Sequence, residues 1–221
     1  MIDRIPGVDY RFSDPGLLEK ALTHRSAGER NYERLEFLGD SVLDLIVADR
    51  LLILHPHAPE GDLSRMRARL VRADSLRDIA ARLELGDHLR LGSGERKSGG
   101  KRRASILADA LEALLGAIYL DGGFEASKRV ILDLFEPSIA ALPEAEKLKD
   151  AKTRLQEHLQ GRGRPLPEYD LVDERGADHT KEFTVRCALQ DSDEVTEATG
   201  SSRRKAEQAA ADDMLGRLKG G

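Results

Sequence analysis

The segment that most constrains the fold is residues 106–120, ILADALEALLGAIYL, which is apolar on nearly every side. A helix of this kind must be surrounded by other elements, so we expect it at the centre of a helical bundle. We predict that Ser105 caps it and that residues 121–123, Asp-Gly-Gly, end it. The segment nevertheless carries Asp109 and Glu112, one turn apart and with no basic residue inside the helix. A buried carboxylate must be paired, protonated or bound to a metal, whereas acids near a helix end can simply reach water.

A second acidic helix is predicted from residue 31 to about Leu54. At roughly 100° per residue, Glu33, Glu36 and Asp40 fall within about a 60° arc. The opposite side is apolar and comprises Leu35, Leu38, Val42, Leu45 and Ile46. Like charges at these spacings cost roughly 0.2–0.5 kcal/mol per pair. This row of acids is therefore either a solvated face that tolerates the cost or part of a functional site. The acids of residues 106–120 favour the interpretation as a functional site.

The candidate metal ligands are the carboxylates of Glu36, Asp40, Asp109 and Glu112. Carboxylate oxygens are hard donors, which favour Mg²⁺ or Mn²⁺ over zinc or copper. Two Mg²⁺ ions about 3.5–4 Å apart, held by carboxylates, activate water in phosphodiester hydrolysis. The sequence has no Glu-x-x-His motif for a di-iron bundle site, and no Ser-His-Asp arrangement or P-loop stands out. The residues alone therefore predict a magnesium-dependent phosphoryl-transfer site.

The composition suits a helix-rich protein, since 34% of the residues are charged and only 4% are aromatic. The chain has no apolar run of membrane-spanning length and no signal-peptide pattern, and its one cysteine, Cys187, excludes an internal disulfide. We therefore expect a cytoplasmic protein without a membrane segment. The net charge is −5, but basic residues are concentrated in residues 65–72, 96–103 and 203–205. This uneven distribution leaves nucleic acid open as a partner.

Two domains are predicted, because the pattern changes after a short polar stretch. We expect an all-α domain over residues 1–143, a linker over 144–150 and a small α+β domain over 151–221. Within the first we predict a helix start at residues 13–15, the acidic helix, one or two helices over 60–83, a basic glycine-rich loop over 86–103, and helices over 105–120 and 126–135. Within the second we predict an α-β-β-β-α order, with a helix over 151–160, strands near 168–172, 182–189 and 195–199, and a helix over 203–218.

Several motifs carry a family resemblance that covers nearly the whole chain. Residues 33–43, ERLEFLGDSVL, resemble the signature of the ribonuclease III family. Residues 60–64, EGDLS, and 107–113, LADALEA, are similar to the other acidic motifs of that family and follow in the same order. Residues 153–157, TRLQE, and 200–210, GSSRRKAEQAA, resemble its double-stranded-RNA-binding domain. The arrangement is that of bacterial ribonuclease III, with a helical catalytic domain before one binding domain.

The resemblance implies a Mg²⁺-dependent endoribonuclease that cuts double-stranded RNA and in which Mn²⁺ substitutes. It implies that Glu36, Asp40, Asp109 and Glu112 are the metal ligands, with Asp40 and Glu112 central to catalysis. Glu33 and Glu60 would be supporting acids in the same cleft. The implied products carry a 5′-phosphate, a 3′-hydroxyl and a short 3′ overhang, and the implied targets are ribosomal RNA precursors and other structured transcripts.

The same resemblance implies a homodimer with one site per subunit, and Phe37 as an anchor in a pocket of the partner. Phe37 lies about 40° from Glu33 on the helical wheel, at roughly 100° per residue. It is therefore buried either by the partner or by another element of its own subunit.

The expected RNA contacts lie in the second domain. Gln156, Glu157 and His179 would reach the shallow minor groove of A-form RNA, which offers 2′-hydroxyls and base edges. Arg203, Arg204 and Lys205 open the last helix, where backbone N–H groups already favour phosphate. Unpaired basic side chains at this end oppose the helix dipole, so we interpret them as phosphate ligands. Two other functions remain open: a protein that binds double-stranded RNA without cutting it, and a structural helical protein with an incidental acidic face.

Overall fold

The computed structural model describes residues 2–143, 149–177 and 180–220. The chain divides into two compact units, Met1–Pro143 and Glu144–Gly221. The first is helical and the second contains helices and a three-stranded antiparallel sheet, so the predicted fold class is confirmed. Most of the predicted linker, residues 144–148, lies outside the described residues.

The first unit contains seven α-helices among its described residues. Asp14 caps α1 by accepting a hydrogen bond from the Gly16 N–H, as expected from the helix start predicted there. None of the described helices is both long and apolar enough to cross a membrane. The helices are α1 (Pro15–Ala21), α2 (Glu33–Leu54), α3 (Glu60–Val71), α4 (Ala73–Arg82), α5 (Leu85–His88), α6 (Ser93–Lys97) and α7 (Ala104–Ala140).

Helix α7 forms the centre of this unit, as its apolar sequence predicts. Its first half is buried almost continuously from Ile106 to Ile118. One prediction about its ends is wrong, because the helix begins after Arg103 rather than at a Ser105 cap. The predicted break at Asp-Gly-Gly agrees with the structure, because Gly123 leaves the helical conformation at a kink between two helical halves. Gly123 takes a positive φ of 75° that bends the chain, and helical structure then resumes to Ala140. A glycine can supply such a bend without a Cβ clash, while the apolar side chains beyond it keep the second half packed in the core.

The predicted loop over residues 86–103 is also wrong in part. The segment contains most of α5, the short helix α6 and a 3₁₀ turn over Gly100–Arg102. Gly86 lies against the neighbouring backbone, where a Cβ would be 2.3 Å from the carbonyl oxygen of Lys101. Helices of four or five residues are too short to show a helical period in the sequence, which explains the error.

The second unit follows the predicted α-β-β-β-α order. Its elements are α8 (Ala151–Gln160), β1 (Glu168–Arg175), β2 (Glu182–Ala188), β3 (Val195–Gly200) and α9 (Arg203–Gly220). The strands form an antiparallel sheet in the order β1-β2-β3, with a register shift in β1 between Leu171 and Asp173. Both helices and the sheet share one core, which includes Leu155, Leu159, Cys187, Ala210 and Met214. Cys187 is buried in this core as a free thiol.

Candidate functional site

The candidate site lies where α2 crosses α7. The two helices approach so closely at Gly39 that a Cβ there would lie 1.8 Å from the carbonyl oxygen of Glu112. A Cβ on Gly116 would likewise lie 2.2 Å from the carbonyl oxygen of Leu35. Glycine is therefore required at both positions for steric reasons. The close crossing brings the acidic row of α2 beside the acids of α7.

Glu36, Asp109 and Glu112 form a group of carboxylates at this crossing. Each offers an oxygen that lies within 4.8 Å of the oxygens of the other two. All three side chains are half-buried. The structure thus brings Glu36 beside Asp109 and Glu112, which lie 73 and 76 positions later in the sequence.

Burial raises the pKa of all three groups, and nearby like charges add to the rise for Glu112 and Glu36. Burial raises the pKa of Glu112 to about 8, and the nearby charges of Asp40, Asp109 and Glu36 add to the effect. Burial also raises the pKa of Glu36, with Asp109 and Glu33 contributing in the same direction. The pKa of Asp109 is raised by burial too, although His24 and Arg25 act against the rise. Partly desolvated carboxylates without enough cationic partners favour either protonation or a bound cation.

Asp40 and Asp44 continue the acidic row along α2. Asp40 is exposed and lies outside the tight group, but its charge acts on Glu112 more strongly than that of any other acid. Asp44 was missed from the sequence, although it follows Asp40 by one helical turn. One of its oxygens is buried without a hydrogen-bond partner among the described residues, and the other is 3.9 Å from Nη1 of Arg67. Burial raises the pKa of Asp44, while Arg67 opposes the rise.

A cavity of about 620 Å³ opens beside Glu36 and Asp109. Glu33 lies at this cavity, with one oxygen 3.7 Å from Nη1 of Arg25. Its predicted position in the cleft therefore agrees with the structure, while its supporting role stays a prediction. The other lining residues are His24, Ser26, Tyr32, Glu95, Arg103, Ser105 and Ile106.

Glu60 lies apart from the grouped carboxylates of its own subunit. It is the first residue of α3, and its Oε1 accepts a hydrogen bond of 2.6 Å from the Ser64 hydroxyl. It lines a smaller depression with Leu52 and Arg67. The predicted position of Glu60 in the same cleft is therefore not seen within one subunit. The sequence could not show this, because the order of motifs gives no distance between them.

The donor set at the crossing suits a divalent cation. All of its ligand atoms are carboxylate oxygens, which are the donors that Mg²⁺ and Mn²⁺ prefer. A bound cation would also relieve the repulsion that raises the pKa of Glu112. Glu36, Asp109 and Glu112 are the residues that could hold it directly, with Asp40 next to them.

The predicted minor-groove residues of the second unit lie on α8, except for His179, which lies outside the described residues. Gln156 is half-buried and Glu157 is exposed, on the same turn of the helix. Glu157 accepts a hydrogen bond of 2.6 Å from Nζ of Lys149. Their role in RNA binding stays a prediction.

The basic cluster at the start of α9 is exposed, but the prediction that its side chains are unpaired is wrong for Arg203. Nε of Arg203 donates a 3.0 Å hydrogen bond to Oε1 of Glu207, one turn later. Nζ of Lys205 lies 3.1 Å from the Ser201 hydroxyl. The Arg203–Glu207 spacing is the common i,i+4 pairing of a helix, so the sequence did contain the signal for it.

Phe37 is 79% exposed on α2. It therefore does not pack against another described element of its own subunit, and that alternative is wrong. Leu45 and Leu52 are also exposed on α2 and continue the apolar stripe from Phe37 at helical spacing. Together, Phe37, Leu45 and Leu52 form an exposed apolar stripe on α2.

Comparison with known proteins agrees with both units. The family model described as Ribonuclease-III-like matches residues 14–138, and the Double-stranded RNA binding motif matches residues 151–218. Ribonuclease 3 of Methylococcus capsulatus is 57% identical over 94% of this chain and 90% of its own length. Ribonuclease 3 of Alkalilimnicola ehrlichii is 55% identical over 95% and 92%, respectively.

Solved structures resemble the helical unit. A crystal structure of the nuclease domain of ribonuclease III from Campylobacter jejuni matches with a TM-score of 0.58 and 47% identity, over 61% of this chain and 92% of that one. A second structure of that domain, which concerns flexibility in a region involved in dimer formation, matches with a TM-score of 0.57 and 50% identity. This match covers 58% of this chain and 90% of that one. The chain therefore belongs to the ribonuclease III family and is an endoribonuclease with a double-stranded-RNA-binding motif.

Proposed function

We propose that the protein hydrolyses phosphodiester bonds of double-stranded RNA with Mg²⁺ held at the crossing of α2 and α7. The observation that carries the proposal is the group of Glu36, Asp109 and Glu112, whose oxygens lie within 4.8 Å of one another in a half-buried position. Mn²⁺, which prefers the same donors, is expected to substitute. The domain assignment that goes with it is an endonuclease over residues 1–143 and an RNA-binding domain over 151–221.

Four acids hold the cation in this proposal. Glu36, Asp109 and Glu112 bind the cation directly, and Asp40 completes the ligand set from the exposed side. When bound, the cation activates water and stabilises the leaving oxygen of the phosphodiester. The half-buried position of these carboxylates strengthens their electrostatic interactions relative to those in bulk water. Cleavage of the bond to the 3′-oxygen then leaves a 5′-phosphate and a 3′-hydroxyl.

The second unit supplies duplex recognition in this proposal. Gln156 and Glu157 contact the minor groove from α8, and His179 makes a second contact there. Arg203, Arg204 and Lys205 bind phosphates at the start of α9. Because the contacts of this basic cluster are to phosphate, they hold the duplex with little regard to sequence. Ribosomal RNA precursors and other structured transcripts are the targets that family membership suggests.

We further propose a homodimer that buries the stripe of Phe37, Leu45 and Leu52 against a second copy. Exposed side chains of this size, in line on one helix, are typical of an interface rather than of a free surface. Two sites in a two-fold dimer cut opposite strands, which gives short 3′ overhangs. Glu33 and Glu60 are proposed as supporting acids.

We also propose a cytoplasmic location, with which a single cysteine, unable to form an internal disulfide, agrees.

The deciding experiment is cleavage of a long RNA duplex by wild type and by Glu112→Gln, with and without Mg²⁺. Wild type should cut only with the divalent ion, and Glu112→Gln should lose cleavage while it retains duplex binding. Glu125→Gln, an exposed change on the same helix, is the matched control and should cut normally. Normal turnover by folded Glu112→Gln would rule out the metal assignment. Binding without any cleavage by wild type would favour the alternative of a pure RNA-binding protein.

A further inference from the structure

Tyr32 is the buried group beside the carboxylates that the proposed function does not use. It immediately precedes α2 and is only 2% exposed. Its hydroxyl is buried and has no hydrogen-bond partner among the described residues. Leaving a buried hydroxyl without a hydrogen bond is destabilising, so such a group calls for an explanation.

The surroundings of Tyr32 fix where this hydroxyl lies. Its backbone N–H donates to the Thr23 carbonyl at 2.9 Å, and its carbonyl accepts from the Glu36 N–H at 2.9 Å. The ring packs edge-on against His24, with the ring centres 5.6 Å apart. Nδ1 of His24 is itself occupied, because it accepts the Ser26 N–H at 3.1 Å. The tyrosine is thus held at both its backbone and its ring.

Tyr32 lies beside the acidic group. Tyr32 lines the same cavity as Glu36 and Asp109. After burial, the charges of Asp109 and Glu36 are the strongest influences that raise the pKa of Tyr32. A tyrosine hydroxyl can donate one hydrogen bond and accept others, so it can serve a carboxylate and a water molecule at once.

We propose that Tyr32 is a positioning residue for the divalent cation: when the ion binds, the Tyr32 hydroxyl donates a hydrogen bond to a carboxylate oxygen of Asp109 and accepts one from the hydration shell of the ion. This inference rests on the proposed metal site. Neither hydrogen bond exists without the ion, because the hydroxyl then has no partner among the described residues. With the ion bound, the first hydrogen bond fixes the orientation of a ligand. Partners of this kind, one step removed from the metal, typically change affinity by about 10–100-fold.

The test uses Tyr32→Phe in the full-length protein, with Mn²⁺ alone as the probe and no RNA. Binding is followed by electron paramagnetic resonance of free Mn²⁺, and the melting temperature is measured in EDTA by calorimetry. Tyr32→Phe should bind Mn²⁺ about tenfold more weakly. Its melting temperature in EDTA should equal or exceed that of wild type, because the lost hydroxyl had no partner within the protein.

Tyr10→Phe is the matched control. The Tyr10 hydroxyl donates a 2.7 Å hydrogen bond to Asp121, away from the acidic group. This variant should therefore melt lower in EDTA and bind Mn²⁺ as wild type does. If Tyr32→Phe bound Mn²⁺ as tightly as wild type, the proposed role of Tyr32 would be overturned, but the metal site would not be. A loss of stability in EDTA as large as that of Tyr10→Phe would also overturn that role. Wild type that binds no Mn²⁺ would instead refute the metal site of the proposed function.

Discussion

Gly39 of α2 and Gly116 of α7 lie face to face. A Cβ on Gly39 would be 2.9 Å from the backbone nitrogen of Gly116, and a Cβ on Gly116 would be 3.0 Å from that of Gly39. The obstacles are backbone atoms of packed helices, which cannot move aside as a flexible side chain can. The spacing of the carboxylates on either side therefore depends on the absence of two methyl groups.

Gly39→Ala is expected to force α2 and α7 apart. Overpacking of this kind costs typically about 1–3 kcal/mol. It should also separate Glu36 from Glu112, so cleavage should fall further than the loss of stability explains. Denaturant unfolding and duplex cleavage measure the two effects. Gly94→Ala, where a Cβ meets nothing within 4 Å, is the control and should change neither. A fully active and stable Gly39→Ala would show that the crossing tolerates a wider spacing.

The raised pKa of Glu112 predicts a dependence of stability on pH in the absence of metal. Its pKa is about 8 in the folded chain against an ordinary 4.5, mainly because of burial. Between these values the folded state retains a proton that the unfolded state loses. The stabilising contribution is thus complete below the ordinary pKa and is lost as the pH rises through about 8.

Melting in EDTA from pH 5 to 9 should therefore show a steeper decline for wild type than for Glu112→Gln, whose side chain does not titrate. With Mg²⁺ the trend should reverse, because binding requires the deprotonated carboxylate and releases a proton. Parallel melting curves for the two proteins in EDTA would contradict the raised pKa.

The cluster at the start of α9 predicts a graded effect on RNA binding. Each lost phosphate contact lowers the salt-dependence slope by roughly one. Arg204→Ala and Lys205→Ala should each show this change across different duplex sequences. Arg203→Ala should show less, because Glu207 already neutralises that guanidinium at 3.0 Å. Binding titrations at several salt concentrations measure the slopes.

Lys219→Ala provides the control on the same helix. Lys219 is exposed in the last turn of α9, roughly 20 Å along the axis from the cluster at 1.5 Å per residue. The salt-dependence slope of RNA binding by Lys219→Ala should match that of wild type. Unchanged slopes for Arg204→Ala and Lys205→Ala would mean that the cluster serves solubility rather than phosphate binding.

Local patterns in the sequence were sufficient to predict those features that depend on a single helix or strand. The bounds of α8 follow from its apolar period and the Asp150 cap, which accepts the Thr153 N–H at 2.9 Å. The pairing of the acids of α2 with those of α7 was also predictable, because few structures accommodate carboxylates on an apolar helix. The start of α7 was not, since the helix begins after Arg103 without the side-chain cap that Ser105 was predicted to supply.

Features that depend on distances between elements lay beyond the sequence. No sequence motif distinguishes Tyr32 from an ordinary core tyrosine. Only the structure shows that its hydroxyl is buried without a partner among the described residues and that it feels the charge of Asp109. The position of Glu60 depends on how α3 packs, which its short motif does not determine. Asp44 differs from both cases, because its one-turn spacing from Asp40 was visible in the sequence.

The exposed stripe on α2 predicts that Phe37→Ala weakens a homodimer without unfolding the subunit. Phe37 is 79% exposed in one chain, so its truncation removes little packing within that chain. Buried aromatic anchors at interfaces typically contribute about 2 kcal/mol or more, and a two-fold axis would bury this residue twice. Sedimentation across a range of concentrations should show a dimer for wild type at micromolar levels and dissociation at higher concentrations for Phe37→Ala. Leu166→Ala, an exposed apolar change in the second unit, should sediment as wild type does. A monomeric wild type, or an unchanged dimer after Phe37→Ala, would rule out Phe37 as the anchor.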